Sequence, residues 1–257
     1  MASAGGAKRG GSRKTTAASP TKRGGGSSKA GALAATSNNK RRRPAKLRGA
    51  ALQTAMAQLA EADETLGELI ERYGTLPPER ETKQRPDRDD HYGALLRSIT
   101  NQQLSVAAAR TIYNRMLDRF GGRPPTPEEI LADDPEDLRT VGLSRPKIGY
   151  LRSLAEHVLS GELELERLDD LSDEQAIAEL VAVKGLGEWT AHMFLMFHLE
   201  RPDVFAPGDL GIRRAIERAY SLEEPDRDTL ERLAERWRPH RTLACRYLWR
   251  SLENEPI

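Results

Sequence analysis

The chain has 257 residues, 38% hydrophobic and 31% charged, enough for one large or two small domains with a buried core. The formal net charge of +1 hides a division: residues 1–48 carry 13 of the 40 Lys and Arg and none of the 39 Asp and Glu. The tail is therefore about +13 and the remainder about −12, a segmental asymmetry that the overall charge conceals. The single cysteine, Cys245, excludes an intrachain disulfide framework and a cysteine-held iron–sulfur cluster. No apolar run approaches a membrane span, and the basic N-terminus lacks the apolar stretch of a secretory signal.

Residues 1–48 are rich in Gly, Ala, Ser, Thr and Lys/Arg, too polar to offset their ordering entropy, and are expected to be disordered. Their basic groups suit non-specific contact with DNA phosphates or a merely solvated tail. From residue 49 to 257 the pattern is helical. Leu52, Met56, Leu59, Leu66 and Leu69 recur at helical spacing up to Gly74. Further helices are predicted over His91–Ser98 and Leu104–Phe120, the latter stopped by Gly121-Gly122. Thr126-Pro127-Glu128-Glu129 and Asp134-Pro135 each mark a helix start. Ser144–Leu159 stops at Gly161, and Ser172 with Gln175 has the spacing of a capping box. Helices over Glu188–Leu199, Asp209–Tyr220, Asp226–Trp237 and His240–Leu252 complete an all-α reading with no alternating strands.

The most informative stretch is Val181-Ala182-Val183-Lys184-Gly185-Leu186-Gly187-Glu188-Trp189-Thr190. One helix ends, two glycines turn the chain, and another begins; the amides at its start can receive a phosphate. Alone, this is equally a tight corner between helices. Val204-Phe205-Ala206-Pro207-Gly208-Asp209 follows one helix later and leads into the next. A carboxylate there is ordinarily a helix cap. The five histidines show no metal-ligand spacing, so neither zinc nor a redox cofactor is expected.

Taken in order, five motifs resemble the helix-hairpin-helix DNA glycosylase superfamily, more narrowly its 3-methyladenine DNA glycosylases of the bacterial inducible and yeast type. They are Ser98-Ile99-Thr100-Asn101-Gln102-Gln103-Leu104-Ser105, Leu138 to Ser144 with Lys147, the hairpin, Val204 to Asp209, and Trp237-Arg238-Pro239 with Arg241 and Trp249. The resemblance covers about residues 90–252. It implies two helical subdomains with an active site in the cleft between them, acting on double-stranded DNA that contains damaged bases. Asp209 then takes the catalytic position. Trp189 stands where strand-cutting relatives carry a nucleophilic lysine, so the resemblance implies base removal without strand cleavage. Trp189, Trp249, Met193 and Leu210 would line the base pocket, the last two replacing tyrosines of the bacterial relative.

By the same resemblance Gly185, Gly187 and Thr190 of the hairpin would meet DNA, and Gln103 or Leu104 would fill the gap left by an extruded base. The carbonyls of Val181, Val183 and Leu186 would hold Na⁺ or K⁺. The chain is expected to be a monomer without membrane contact, cytoplasmic and nucleoid-associated in a prokaryote. Two rival readings stay open: a glycosylase for deaminated or oxidised bases, and a non-catalytic helix-hairpin-helix DNA-binding protein. The latter needs the glycines but not Asp209.

Overall fold

The computed structural model describes residues 47–77 and 90–253. The expectation of a disordered tail falls outside them, apart from its last two residues. Among the described residues there are twelve α-helices and no strand. They are α1 (Gly49–Ala62), α2 (Glu64–Tyr73), α3 (His91–Asn101), α4 (Val106–Arg119), α5 (Pro127–Ala132), α6 (Pro135–Thr140), α7 (Arg145–Ser160), α8 (Asp173–Ala182), α9 (Glu188–Met193), α10 (Leu210–Ala219), α11 (Arg227–Glu235) and α12 (Arg241–Leu252). A 3₁₀ turn, Leu165–Asp169, precedes α8, and a π-helical segment, Phe194–His198, prolongs α9.

The starts follow local chemistry. Thr126 accepts from the Glu129 amide while Glu129 reaches back to the Thr126 amide, a reciprocal cap with Pro127 in the first turn. Ser172 and Gln175 close the same box on α8. Gly161 ends α7 with φ +78°, a left-handed conformation that favours glycine.

One correction concerns the first predicted helix, which is two. Its amphipathic run breaks at Asp63, whose amide still bonds to Leu59 O (3.0 Å) while its carboxylate accepts from the Leu66 amide (3.1 Å) and starts α2. Asp63 is almost fully buried. It also accepts from Tyr220 Oη (2.8 Å), Trp237 Nε1 (2.9 Å) and Arg236, all more than 150 residues away in sequence. Burial pushes this carboxyl up, but the donors from Trp237, Arg236, Leu66 and Tyr220 together outweigh burial and hold it below the usual range. Trp237 is fully buried and part of this network, as a core residue.

The helices form two sets. α1, α2, α10 and α12 pack on one another, while α3 packs with α4, α7, the 3₁₀ turn and the π-helical segment, α7 with α5 and α6, and α8 with α9. A single hydrophobic core, running from Ala55 to Leu248, threads both sets, so they are lobes of one body rather than separate domains.

Candidate active site

The hairpin joins α8 to α9. Leu186 N–H bonds to Val183 O (3.0 Å), which tightens the turn. Gly185 has φ +97°, and a Cβ there would fall 2.2 Å from Tyr150 Cγ. The close approach that demands this glycine is therefore to the chain's own Tyr150. Gly187 differs: its backbone is extended and nothing lies within 4 Å of where its Cβ would be. It caps α9 at the surface. Trp189 is 48% exposed beside it. Thr190 requires a correction: the residue is buried, so its hydroxyl is not presented outward, because it lies on the core side of α9. Arg227 Nη1 donates to Glu188 Oε2 (2.9 Å), bracing the first residue of α9 against α11.

The α3–α4 turn carries the two plug candidates. Gln103 is exposed and has φ +56°, a conformation that residues bearing a Cβ rarely adopt. Leu104 is 36% exposed, and Ser105 caps α4 by accepting from the Ala108 amide.

Asp209 ends the Val204–Asp209 stretch. That stretch and the Asp203 before it are fastened to α12, since Val204 N–H donates to Thr242 Oγ1 (3.0 Å) and Arg241 Nε to Asp203 Oδ1 (2.9 Å). Asp209 caps α10 by accepting from the Ile212 amide at Oδ1 (2.8 Å). The same oxygen accepts from Trp249 Nε1 (2.8 Å), and Oδ2 accepts from Trp189 Nε1 (2.7 Å). Two indoles from different elements thus grip the carboxylate of a residue that is 9% exposed. The cap reading of Asp209 holds, and the same carboxylate also meets both indoles. Gly211 makes the grip possible: a Cβ there would lie 3.1 Å from both Asp209 Oδ1 and Trp249 Cδ1. Phe197 packs on Trp249 with ring centroids 5.6 Å apart. The π-helical turn at Phe194–His198, closed by Leu199 N–H on Phe194 O (3.0 Å), carries it. Leu210 is 60% exposed and Met193 half-buried.

The sequence reading brought Asp209, Trp189 and Trp249 to one place and the structure does the same. It missed Phe197 and Gly211. Their roles depend on Trp249, 52 and 38 residues further on, and no local signal marks them. It also missed the pairing of His91 Nδ1 with His198 Nε2 (2.8 Å), with His91 Nε2 3.4 Å from Asp169. No group of three or more His, Cys, Asp or Glu side chains suited to a metal occurs among the described residues. Cys245 is buried and its thiol is pushed up to about 12 by that burial, so it is no nucleophile.

Residues 96–239 match the HhH-GPD superfamily of base excision DNA repair proteins. The chain is 35% identical over 204 residues to DNA-3-methyladenine glycosylase 1 of Schizosaccharomyces pombe, a match spanning 78% of this chain and 88% of that one. With YfjP of Bacillus subtilis it shares 33% identity over 169 residues, 63% of this chain and 59% of the relative's length. The solved structure of the S. pombe 3-methyladenine DNA glycosylase with abasic DNA superposes with a TM-score of 0.68 at 34% identity, covering 79% of this chain and 100% of that one. No helix among the described residues is long and apolar enough to cross a membrane. The chain belongs to the HhH-GPD superfamily of base excision DNA repair proteins.

Proposed function

We propose that the protein hydrolyses the N-glycosidic bond of alkylated purines, of the 3-methyladenine and 7-methylguanine type, in duplex DNA and leaves the strand intact. The observation that carries this reading is the carboxylate of Asp209 held between the indole N–H groups of Trp189 and Trp249. A base inside a stacked duplex is out of reach of any such site, so the nucleotide must leave the stack while a side chain fills the gap. Gln103 and Leu104, exposed on the α3–α4 turn, are the candidates for that plug. Gly187 is exposed as the N-cap of α9, and the amides of that helix start suit a phosphate of the DNA backbone.

The chemistry follows from charge. An alkylated purine is cationic and its glycosidic bond is already weakened, so little acid catalysis is needed. The faces of Trp189 and Trp249 are electron-rich and favour a cationic base. As the bond between C1′ and the base nitrogen breaks, the base departs with the electron pair and positive charge grows on the sugar. A fixed carboxylate beside it lowers that barrier. Asp209 Oδ1 already accepts from Trp249 and Ile212, whereas Oδ2 accepts from Trp189 alone. Oδ2 therefore keeps a lone pair for the sugar or for the water that adds to C1′ and releases its proton. An indole rather than an amine stands against Asp209, which leaves no nucleophile there for a Schiff base and supports hydrolysis over strand cleavage.

The resemblance also implies Na⁺ or K⁺ at the hairpin. Three neutral backbone oxygens, of Val181, Val183 and Leu186, suit a monovalent cation, and Val183 O keeps a second lone pair beside its bond from Leu186 N–H. Bound there, the cation would add positive charge to the phosphate-facing side of the hairpin.

The test is release of free base from methylated duplex DNA, with strand breaks scored separately before and after alkali. Wild type is expected to release 3-methyladenine or 7-methylguanine and to leave strands whole until alkali. Asp209→Asn keeps a capping side chain for Ile212 but loses the charge, and is expected to slow release by at least about 100-fold. Unchanged release by the variant would overturn the role of Asp209; no release by wild type would overturn the substrate assignment.

A further inference from the structure

The α3–α4 turn projects Gln103 and Leu104 outward and faces the hairpin. A cleft of about 540 Å³ lies between them, lined by Gln102, Gln103, Lys147, Tyr150 and the hairpin from Val183 to Gly187. Two polar contacts tie the turn to its neighbours. Gln102 Nε2 donates to Gly185 O (2.8 Å), and Lys147 Nζ donates to Thr100 O (2.7 Å) in the last turn of α3. The acceptor of the first bond is a rigid post: Gly185 is fixed by its left-handed backbone and by Tyr150 beneath it. Gln102 ends α3 and immediately precedes Gln103, so its side chain sets where the next two residues point.

We propose that Gln102 is a positioning residue that locks the α3–α4 turn to the hairpin, so that the duplex plug and the phosphate grip meet DNA as one unit. The proposal rests on the glycosylase reading and on Gln103 or Leu104 being the plug. Its consequence is specific. Breaking the bond impairs extrusion from a duplex, which needs the plug in register with the hairpin. It spares a base that is already unstacked, because Gln102 touches neither Asp209 nor the two indoles that grip it.

The full-length protein is tested on one alkylated oligonucleotide, as a duplex and as a single strand. A 2-aminopurine next to the lesion reports unstacking. Gln102→Met keeps length and volume but removes the donor. It is expected to slow release from the duplex about tenfold, the effect of one lost part-buried hydrogen bond. The 2-aminopurine signal should fall with it, while the single-strand rate stays as in wild type and the melting temperature falls by no more than the few degrees that one lost hydrogen bond costs. Gln102→Lys, which retains a donor of similar reach, is expected to restore the 2-aminopurine signal. Equal loss on both substrates, or an unchanged duplex rate in Gln102→Met, overturns the coupling. Gln103→Ala and Leu104→Ala separate the layers: if either loses duplex extrusion while Gln102→Met does not, the plug stands and the coupling falls. A wild type inactive on both substrates overturns the glycosylase reading, and the coupling with it.

Discussion

In the proposed mechanism Asp209 does two jobs with one side chain, as helix cap and as the charge beside the sugar, and the tryptophans orient it for the second. The cap to Ile212 would be met by many polar residues at a helix start. The indole N–H groups of Trp189 and Trp249 fix which way the remaining lone pair points. Trp189 contributes both a ring face and this hydrogen bond, and the two contributions can be parted. Trp189→Phe keeps an aromatic face for a cationic base but frees Oδ2, and the residue is half exposed, so the fold should not notice. Base release is expected to slow about tenfold through kcat, with KM changed little, since one charge-assisted hydrogen bond has gone. A change confined to KM in steady-state release assays would show that Trp189 serves binding alone. From its place at a helix start Asp209 was legible as a cap, and only the resemblance carried by Val204 to Asp209 marked it as a site residue. The grip was not, because it joins α9, α10 and α12, and no periodicity reports which way an indole N–H points.

At the scale of elements, the sequence named nearly every helix because capping chemistry is local: Thr126, Ser172 and Gly161 act within four residues of themselves. It merged α1 and α2 because the reason for their separation is distant. Asp63 turns the chain to meet Tyr220, Arg236 and Trp237. Asp63→Asn retains the cap and the volume but cannot accept from all four donors, and should cost about 1–3 kcal/mol by denaturant unfolding. Because the folded carboxyl titrates below its unfolded value, near 3.9, its contribution is complete above about pH 4 and is lost as pH falls through the folded value. The variant's stability should therefore change less than that of wild type as pH falls below 4. The two hairpin glycines were read as equivalent, yet their surroundings differ. Gly185→Ala would drive a Cβ into Tyr150 and strain a φ of +97°, so a loss of stability of about 2 kcal/mol or more is expected in thermal unfolding. Gly187→Ala meets nothing and should leave stability within about 0.5 kcal/mol while weakening DNA binding, since the added methyl stands where a phosphate would approach. Equal destabilisation by both would mean that Gly187 serves the turn rather than DNA.

For the whole molecule the question is how a chain whose residues 49–257 carry a net charge of about −12 meets a polyanion. Some of the acid is paired internally: Arg227 with Glu188, Arg241 with Asp203, and Arg119 with Asp133 and Asp137. Pairing removes local repulsion but supplies no attraction. The two sources proposed for attraction are short-range, from the amides at the hairpin, and long-range, from the 13 basic residues of 1–48. These two sources have different salt signatures. Each phosphate neutralised by Lys or Arg releases counterions and steepens the fall of log affinity with log salt by roughly 0.9. Neutral amides add almost nothing to that slope. Removing residues 1–48 is therefore expected to weaken non-specific duplex binding and to flatten its salt dependence by several units of slope. It should leave the single-turnover rate of base release at saturating enzyme unchanged, because Asp209, Trp189 and Trp249 all lie in the remaining 209 residues. Fluorescence anisotropy across a salt series reads the slope. If the slope is the same with and without the segment, the attraction must come from a basic patch on the helical body. If the saturating rate falls too, the segment reaches the reacting nucleotide and is part of the site.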